Sequence, residues 1–172
     1  MRHVLLPANW FEFIGRRSLR HALRHGDYLT LVTIRVSREY LGLTVDVGSQ
    51  RLSELAEAIG PTIRGTDLTG ELEEGRLGLL LSDADDVAAF SMIQRLAEVL
   101  GSIQFSASLS FEIGAASCPA NGVDFHGLVA RANSRPVLNV RARPLVLADR
   151  LSLRAFIDET PTEPSAPHAL HR

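Results

Sequence analysis

Arg64 and Asp67, separated by Gly65 and Thr66, place a forked cation and a carboxylate within a few residues of each other. A guanidinium offers paired donors that match a phosphate or the O6/N7 edge of guanine. A carboxylate accepts from N–H groups. A further guanidinium, Arg95, follows 31 residues after Arg64. Together these types suit a planar, anionic ligand. The spacing alone is not selective, because Arg24-His25-Gly26-Asp27 repeats it. Arg64 and Asp67 also fit a plain exposed ion pair, worth about 0–1 kcal/mol.

Other chemistry-bearing residues form weaker patterns. His21 and His25 have the i, i+4 spacing of helical metal ligands, but no third ligand accompanies them. Cys118 and His126 combine with no Asp or Asn into a nucleophilic triad. The lone Cys118 excludes an intramolecular disulfide and a cysteine-built metal site. Gly65, Gly70 and Gly75 lie in no strand–GxxxxGK[ST]–helix pattern. Arg16, Arg17, Arg20 and Arg24 read as a solvated helix face. No metal and no cofactor is expected.

Composition narrows the class. The chain has 172 residues, 45% hydrophobic and 22% charged, which suits one globular domain. All 18 basic residues are Arg, and the net charge of −2 argues against a nucleic-acid binder. No apolar run approaches the roughly 20 residues of a membrane span, and no signal-peptide core opens the chain. A cytoplasmic location is the expectation.

The elements that must position these residues follow from periodicity. Residues 10–25 read as an amphipathic helix, with Trp10, Phe11 and Phe13 stapling it to the core. Tyr28–Val36 reads as a buried strand. Gln50–Ile63 reads as a helix with Leu52, Leu55, Ala56, Ile59 and Ile63 inward. Leu68–Leu81 reads as a hairpin turning near Glu73–Gly75. Ser82 or Asp83 is expected to cap a helix over Asp85–Leu100 that buries Ala89, Ile93, Leu96, Ala97 and Leu100. Phe105–Ala115 alternates as a strand, Asp124–Asn133 is a short helix, and Val137–Leu147 is a strand that Pro144 marks as an edge. This gives a single α/β domain, an α+β sandwich, over residues 1–150. Its βαββαβ core is ferredoxin-like, with a mainly antiparallel sheet and flanking helices. Residues 151–172 form an extension expected to be disordered from about 158.

Residues 64–81 resemble the signature hairpin of GGDEF (diguanylate cyclase) domains. That family shows Arg-x-x-Asp, five residues, then Gly-Gly-Asp/Glu-Glu-Phe and an apolar strand. Here the five positions after the spacer are Glu73, Glu74, Gly75, Arg76 and Leu77. Ser108–Ala116 is similar to the family's strand leading into Ser-x-Gly-x-Ala. The likeness continues through Pro119, Gly122, Asp124 and Leu128–Asn133, and covers roughly residues 10–135.

The resemblance implies a degenerate domain that is not an enzyme. The family's metal-binding carboxylates fall at Arg35 or Ser37 and at Gly75, none of which ligates a hard cation. It also implies a retained inhibitory-type site for cyclic di-GMP at Arg64, Asp67 and Arg95, with Arg95 on the side of its helix opposite the core stripe. The expected function is a cyclic di-GMP receptor that regulates an unidentified protein partner, or another copy of itself as a homodimer. The alternative is a ligand-free protein–protein scaffold.

Overall fold

The computed structural model describes residues 4–41, 43–72, 75–103 and 108–142. Element order is β1 (Leu5–Leu6), α1 (Ala8–His25), β2 (Leu29–Tyr40), β3 (Leu43–Asp46), α2 (Ser49–Ile59), a 3-10 turn (Gly60–Thr62), β4 (Leu68–Leu72), β5 (Arg76–Ser82), α3 (Asp86–Ser102), β6 (Leu109–Cys118), α4 (Phe125–Ser134) and β7 (Pro136–Ala142). The seven strands form one sheet in the order β1-β4-β5-β2-β6-β7, with β3 pairing to β2 beside that path. Only β1–β4 is parallel; the other pairs are antiparallel. The mainly antiparallel α/β sandwich expected from periodicity is the architecture found.

Alternation along β2 and β5 builds two cores, because successive strand residues face opposite sides. Val32, Ile34, Val36, Leu77, Leu79 and Leu81 point to the side covered by α2 and α3. Leu29, Leu31 and Leu80 point to the side covered by α1 and α4. On that second side Phe11 is fully buried across Gly70 and Gly78. A Cβ at either glycine would collide with the Phe11 ring, so both positions demand glycine. Burying such a ring contributes about 1.5–3 kcal/mol.

Several local expectations need correction. The buried stripe of α1 is Phe11, Gly15, Leu19 and Ala22, spaced by four, four and three residues. Trp10 and Phe13 fall outside it; each is 56% exposed, and they meet each other edge to face instead of stapling the core. Helix α2 stops at Ile59 and Pro61 continues as 3-10, although Ile63 is buried as expected. Asp85, not Ser82 or Asp83, caps α3, accepting from the Ala88 N–H at 2.9 Å. Ser82 still belongs to β5, and Asp83 makes the turn at φ 50°. Ala97 is half-buried while Met92 is buried. Strands β1 and β3 were not expected. Phe105, Ala107, Glu73, Glu74, Pro144 and the 151–172 extension lie outside the described residues.

Candidate ligand site

The backbone around Arg64 is fixed by one buried carboxylate. After the 3-10 turn, the Asp67 N–H donates to the Arg64 carbonyl at 3.1 Å, closing a turn over Gly65 and Thr66. The Asp67 side chain is 6% exposed. Its Oδ2 accepts from the Arg64 N–H at 3.2 Å, and its Oδ1 accepts from the Ser82 N–H at 3.3 Å. The Ser82 hydroxyl donates to the Thr66 carbonyl at 3.4 Å. Ser82 ends β5 and pairs with Leu29, so this turn is tied to the centre of the sheet. Buried backbone donors need such partners.

Arg95 arrives from the third turn of α3. Ala88, Met92 and Arg95 are spaced i, i+4, i+7 and therefore share a face. With Arg64, Asp67, Leu81, Ser82 and Ala84 they line one concavity. Arg95 is exposed but flanks the buried Met92, and its Nη2 donates to Met92 Sδ at 3.4 Å. It therefore stands at the edge of the core stripe and not opposite it, because Met92 belongs to that stripe. The edge position is what brings it to Arg64. The concavity's volume is only about 10 Å³, about the least that admits a single water. Anything larger would lie across the rim, where the two guanidiniums stand in solvent.

Asp67 differs from expectation in one respect. Both of its oxygens are already engaged by backbone N–H groups. Its demonstrated contact is with the turn that carries Arg64. Among the described residues, neither the Arg64 nor the Arg95 side chain enters an ion pair.

The other end of the hairpin is built differently. Gly75 has φ 68°, as a tight turn requires, and a Cβ there would stand 3.0 Å from the Val47 carbonyl. Arg35 of β2 sits opposite Arg76 of β5. Its Nε lies 2.9 Å from Asp46 Oδ1 on β3, and its Nη1 lies 3.6 Å from Glu112 Oε2 on β6. The hydrogen bond to Asp46 holds the Arg35 guanidinium above its ordinary pKa. Reasoning from sequence missed this three-way cluster, because Asp46 is brought near only by the unforeseen β2–β3 pairing. Among the described residues, no group of three His, Cys, Asp or Glu side chains is placed to hold a metal. No helix among them is long and apolar enough to cross a membrane. Cys118 is buried, and desolvation pushes its thiol pKa up. His21 and His25 pack ring to ring, with centroids 4.3 Å apart.

No protein-family profile matches the chain, and no curated protein does. Solved structures do. The chain is similar to the GGDEF domain of PA1120 (YfiN or TpbB) from Pseudomonas aeruginosa, with a TM-score of 0.64 and 22% identity, covering 76% of this chain and 86% of that one. It is similar to the active GGEEF domain of a diguanylate cyclase from Vibrio cholerae, with a TM-score of 0.64 and 16% identity, covering 76% and 88%. It is also similar to the GGDEF domain of DgcB from Caulobacter crescentus in complex with c-di-GMP, with a TM-score of 0.60 and 12% identity, covering 78% and 82%.

These likenesses overturn the expectation that the chain is not an enzyme. Its structural neighbours are diguanylate cyclase domains, one of them described as active. The physical reason lies in the hairpin. The letters at residues 73–77 differ from the family signature, yet the β2, β4 and β5 frame that carries them is intact. Sequence letters alone did not license the exclusion. The chain has the fold of GGDEF, diguanylate cyclase, domains.

Proposed function

We propose that this chain is a cyclic di-GMP receptor that regulates a protein partner through the corner formed by Arg64, Asp67 and Arg95. The observation that carries this reading is convergence. Two arginines 31 residues apart, one on a loop and one on α3, line the same concavity with their guanidiniums in solvent. Arg64 and Arg95 supply donors for guanine edges and phosphates. Asp67 positions Arg64 by holding the turn. A solved neighbour of the same fold was obtained in complex with c-di-GMP, which supports the ligand class. A ligand lying across so shallow a rim keeps one face free for a second protein surface, either a partner or another copy of this chain.

A second reading, a ligand-free scaffold, is favoured by Asp67, whose carboxylate already has two backbone partners. Calorimetric titration of cyclic di-GMP into the chain and into Arg64→Ala separates the two. Saturable binding that the substitution weakens about tenfold or more supports the receptor. An absence of heat, together with an unchanged melting temperature at saturating ligand, leaves the scaffold.

A further inference from the structure

The face of α1 turned away from the sheet is more than a solvated polar face. The buried stripe of the helix is Phe11, Gly15, Leu19 and Ala22. At about 3.6 residues per turn, Trp10, Phe13, Arg17, Arg20 and Arg24 form a second stripe directly opposite, about 20 Å long. Trp10 and Phe13 stand exposed and meet edge to face, with ring centroids 6.1 Å apart. Arg17, Arg20 and Arg24 are exposed, and among the described residues their side chains enter no hydrogen bond or ion pair.

No carboxylate shares this stripe. Glu12 is the one acidic residue of α1. It lies on the flank, where its Oε1 is 2.7 Å from Arg16 and 3.3 Å from His126 Nε2. Asp27 follows only after Gly26 has ended the helix. The chain as a whole carries a net charge of −2, so this strip of free cations is a local feature that calls for an anionic occupant. The same occupant must accept two aromatic rings. Two copies meeting through the stripe would bring their arginines together with no carboxylate between them. A rigid acidic protein would need a matching groove, because the stripe is a ridge. The hollows beside α1 open on its flanks, one lined by Ile14, Ser18 and Ala22 and the other by Ala8, Asn9 and Glu12. A fluid anionic surface meets all of these demands. Trp and Phe rings settle at the headgroup boundary of a bilayer, and guanidinium forks match lipid phosphates.

We propose that α1 docks the chain on an anionic lipid surface, with Trp10 and Phe13 entering the headgroup layer and Arg17, Arg20 and Arg24 on the phosphates. One short patch of this kind gives reversible, salt-sensitive attachment. This does not rest on the cyclic di-GMP reading, since it uses none of the residues of that corner. Trp10 is the sole tryptophan of the chain, so its emission reports on this face directly. The test is a fluorescence titration of the full chain with vesicles of equal parts phosphatidylcholine and phosphatidylglycerol. Vesicles of phosphatidylcholine alone and soluble polyglutamate are the controls. A saturable blue shift is expected on the mixed vesicles only, reversed by added sodium chloride. Arg20→Gln should weaken vesicle binding about fivefold, and Arg20→Lys, which keeps the charge, should bind as the parent chain does. The proposal is overturned if the mixed vesicles cause no shift, if phosphatidylcholine alone causes the same shift, or if Arg20→Gln binds undiminished. An equal shift with polyglutamate would also overturn it and assign the face to an acidic protein.

Discussion

The two ends of the β4–β5 hairpin carry arginines in opposite circumstances. At the Arg35 end, the guanidinium lies between Asp46 and Glu112, and its charge is answered from within the chain. At the Arg64 end, the Asp67 carboxylate is turned inward to the backbone, and Arg64 and Arg95 are exposed at the rim of the concavity they line. A charge matched internally must break its pair before it can hold a ligand, and that loss offsets the gain. A charge whose neighbouring carboxylate is spent on backbone donors carries no such cost. Charge content alone would rank the two ends alike; pairing separates them.

The contrast can be broken by substitution. The largest effect is expected at Asp67. Asp67→Ala leaves the Arg64 and Ser82 N–H groups without their acceptor, which should cost about 2 kcal/mol of stability in denaturant unfolding. The same change should abolish cyclic di-GMP binding by releasing the Arg64 turn, and Asp67→Asn, which keeps one acceptor, should cost about half as much. Next comes Arg95→Ala. It should weaken binding about tenfold while moving stability by less than about 0.5 kcal/mol, because the side chain is exposed. If both quantities fell together, Arg95 would be a structural residue and not a ligand contact. The smallest effect is expected at Arg35→Ala: about 1 kcal/mol or less of stability, since the Arg35, Asp46 and Glu112 side chains are a third or more exposed, with cyclic di-GMP affinity unchanged.

The sandwich was legible in the sequence because β2 opens as a continuous buried run of apolar and β-branched residues, β6 alternates, and the helical stripes of α2 and α3 each bury one face. Strand β3 was not, because all four of its residues are exposed and its Leu-Thr-Val-Asp alternation has no covered side to reveal it. That omission hid Asp46, and with it the pairing that neutralises Arg35. The choice among Ser82, Asp83 and Asp85 as helix cap was likewise closed to sequence reading, since all three are capping types. Ser82 is taken by β5 and Asp83 by a turn at positive φ, which leaves Asp85 as the cap. Trp10 and Phe13 misled through their size. The helix stripe is set by the spacing of Phe11, Gly15, Leu19 and Ala22, and it buries a glycine in preference to two aromatics. Arg64, Asp67 and Arg95 were nameable from spacing within a recognised hairpin. That Asp67 faces the backbone depends on the Ser82 N–H, 15 residues away, which only the folded chain supplies.

The most direct measurement is a ¹⁵N–¹H correlation spectrum of the chain titrated with cyclic di-GMP. The expected result is a set of saturating shifts at the amides of Arg64, Gly65, Thr66, Asp67, Ser82, Ala88 and Arg95, with Arg35, Asp46, Gly75 and Glu112 unmoved. Shifts that instead gather around Arg35, Gly75 and Glu112 would place the ligand at the internally paired end and contradict the proposed site.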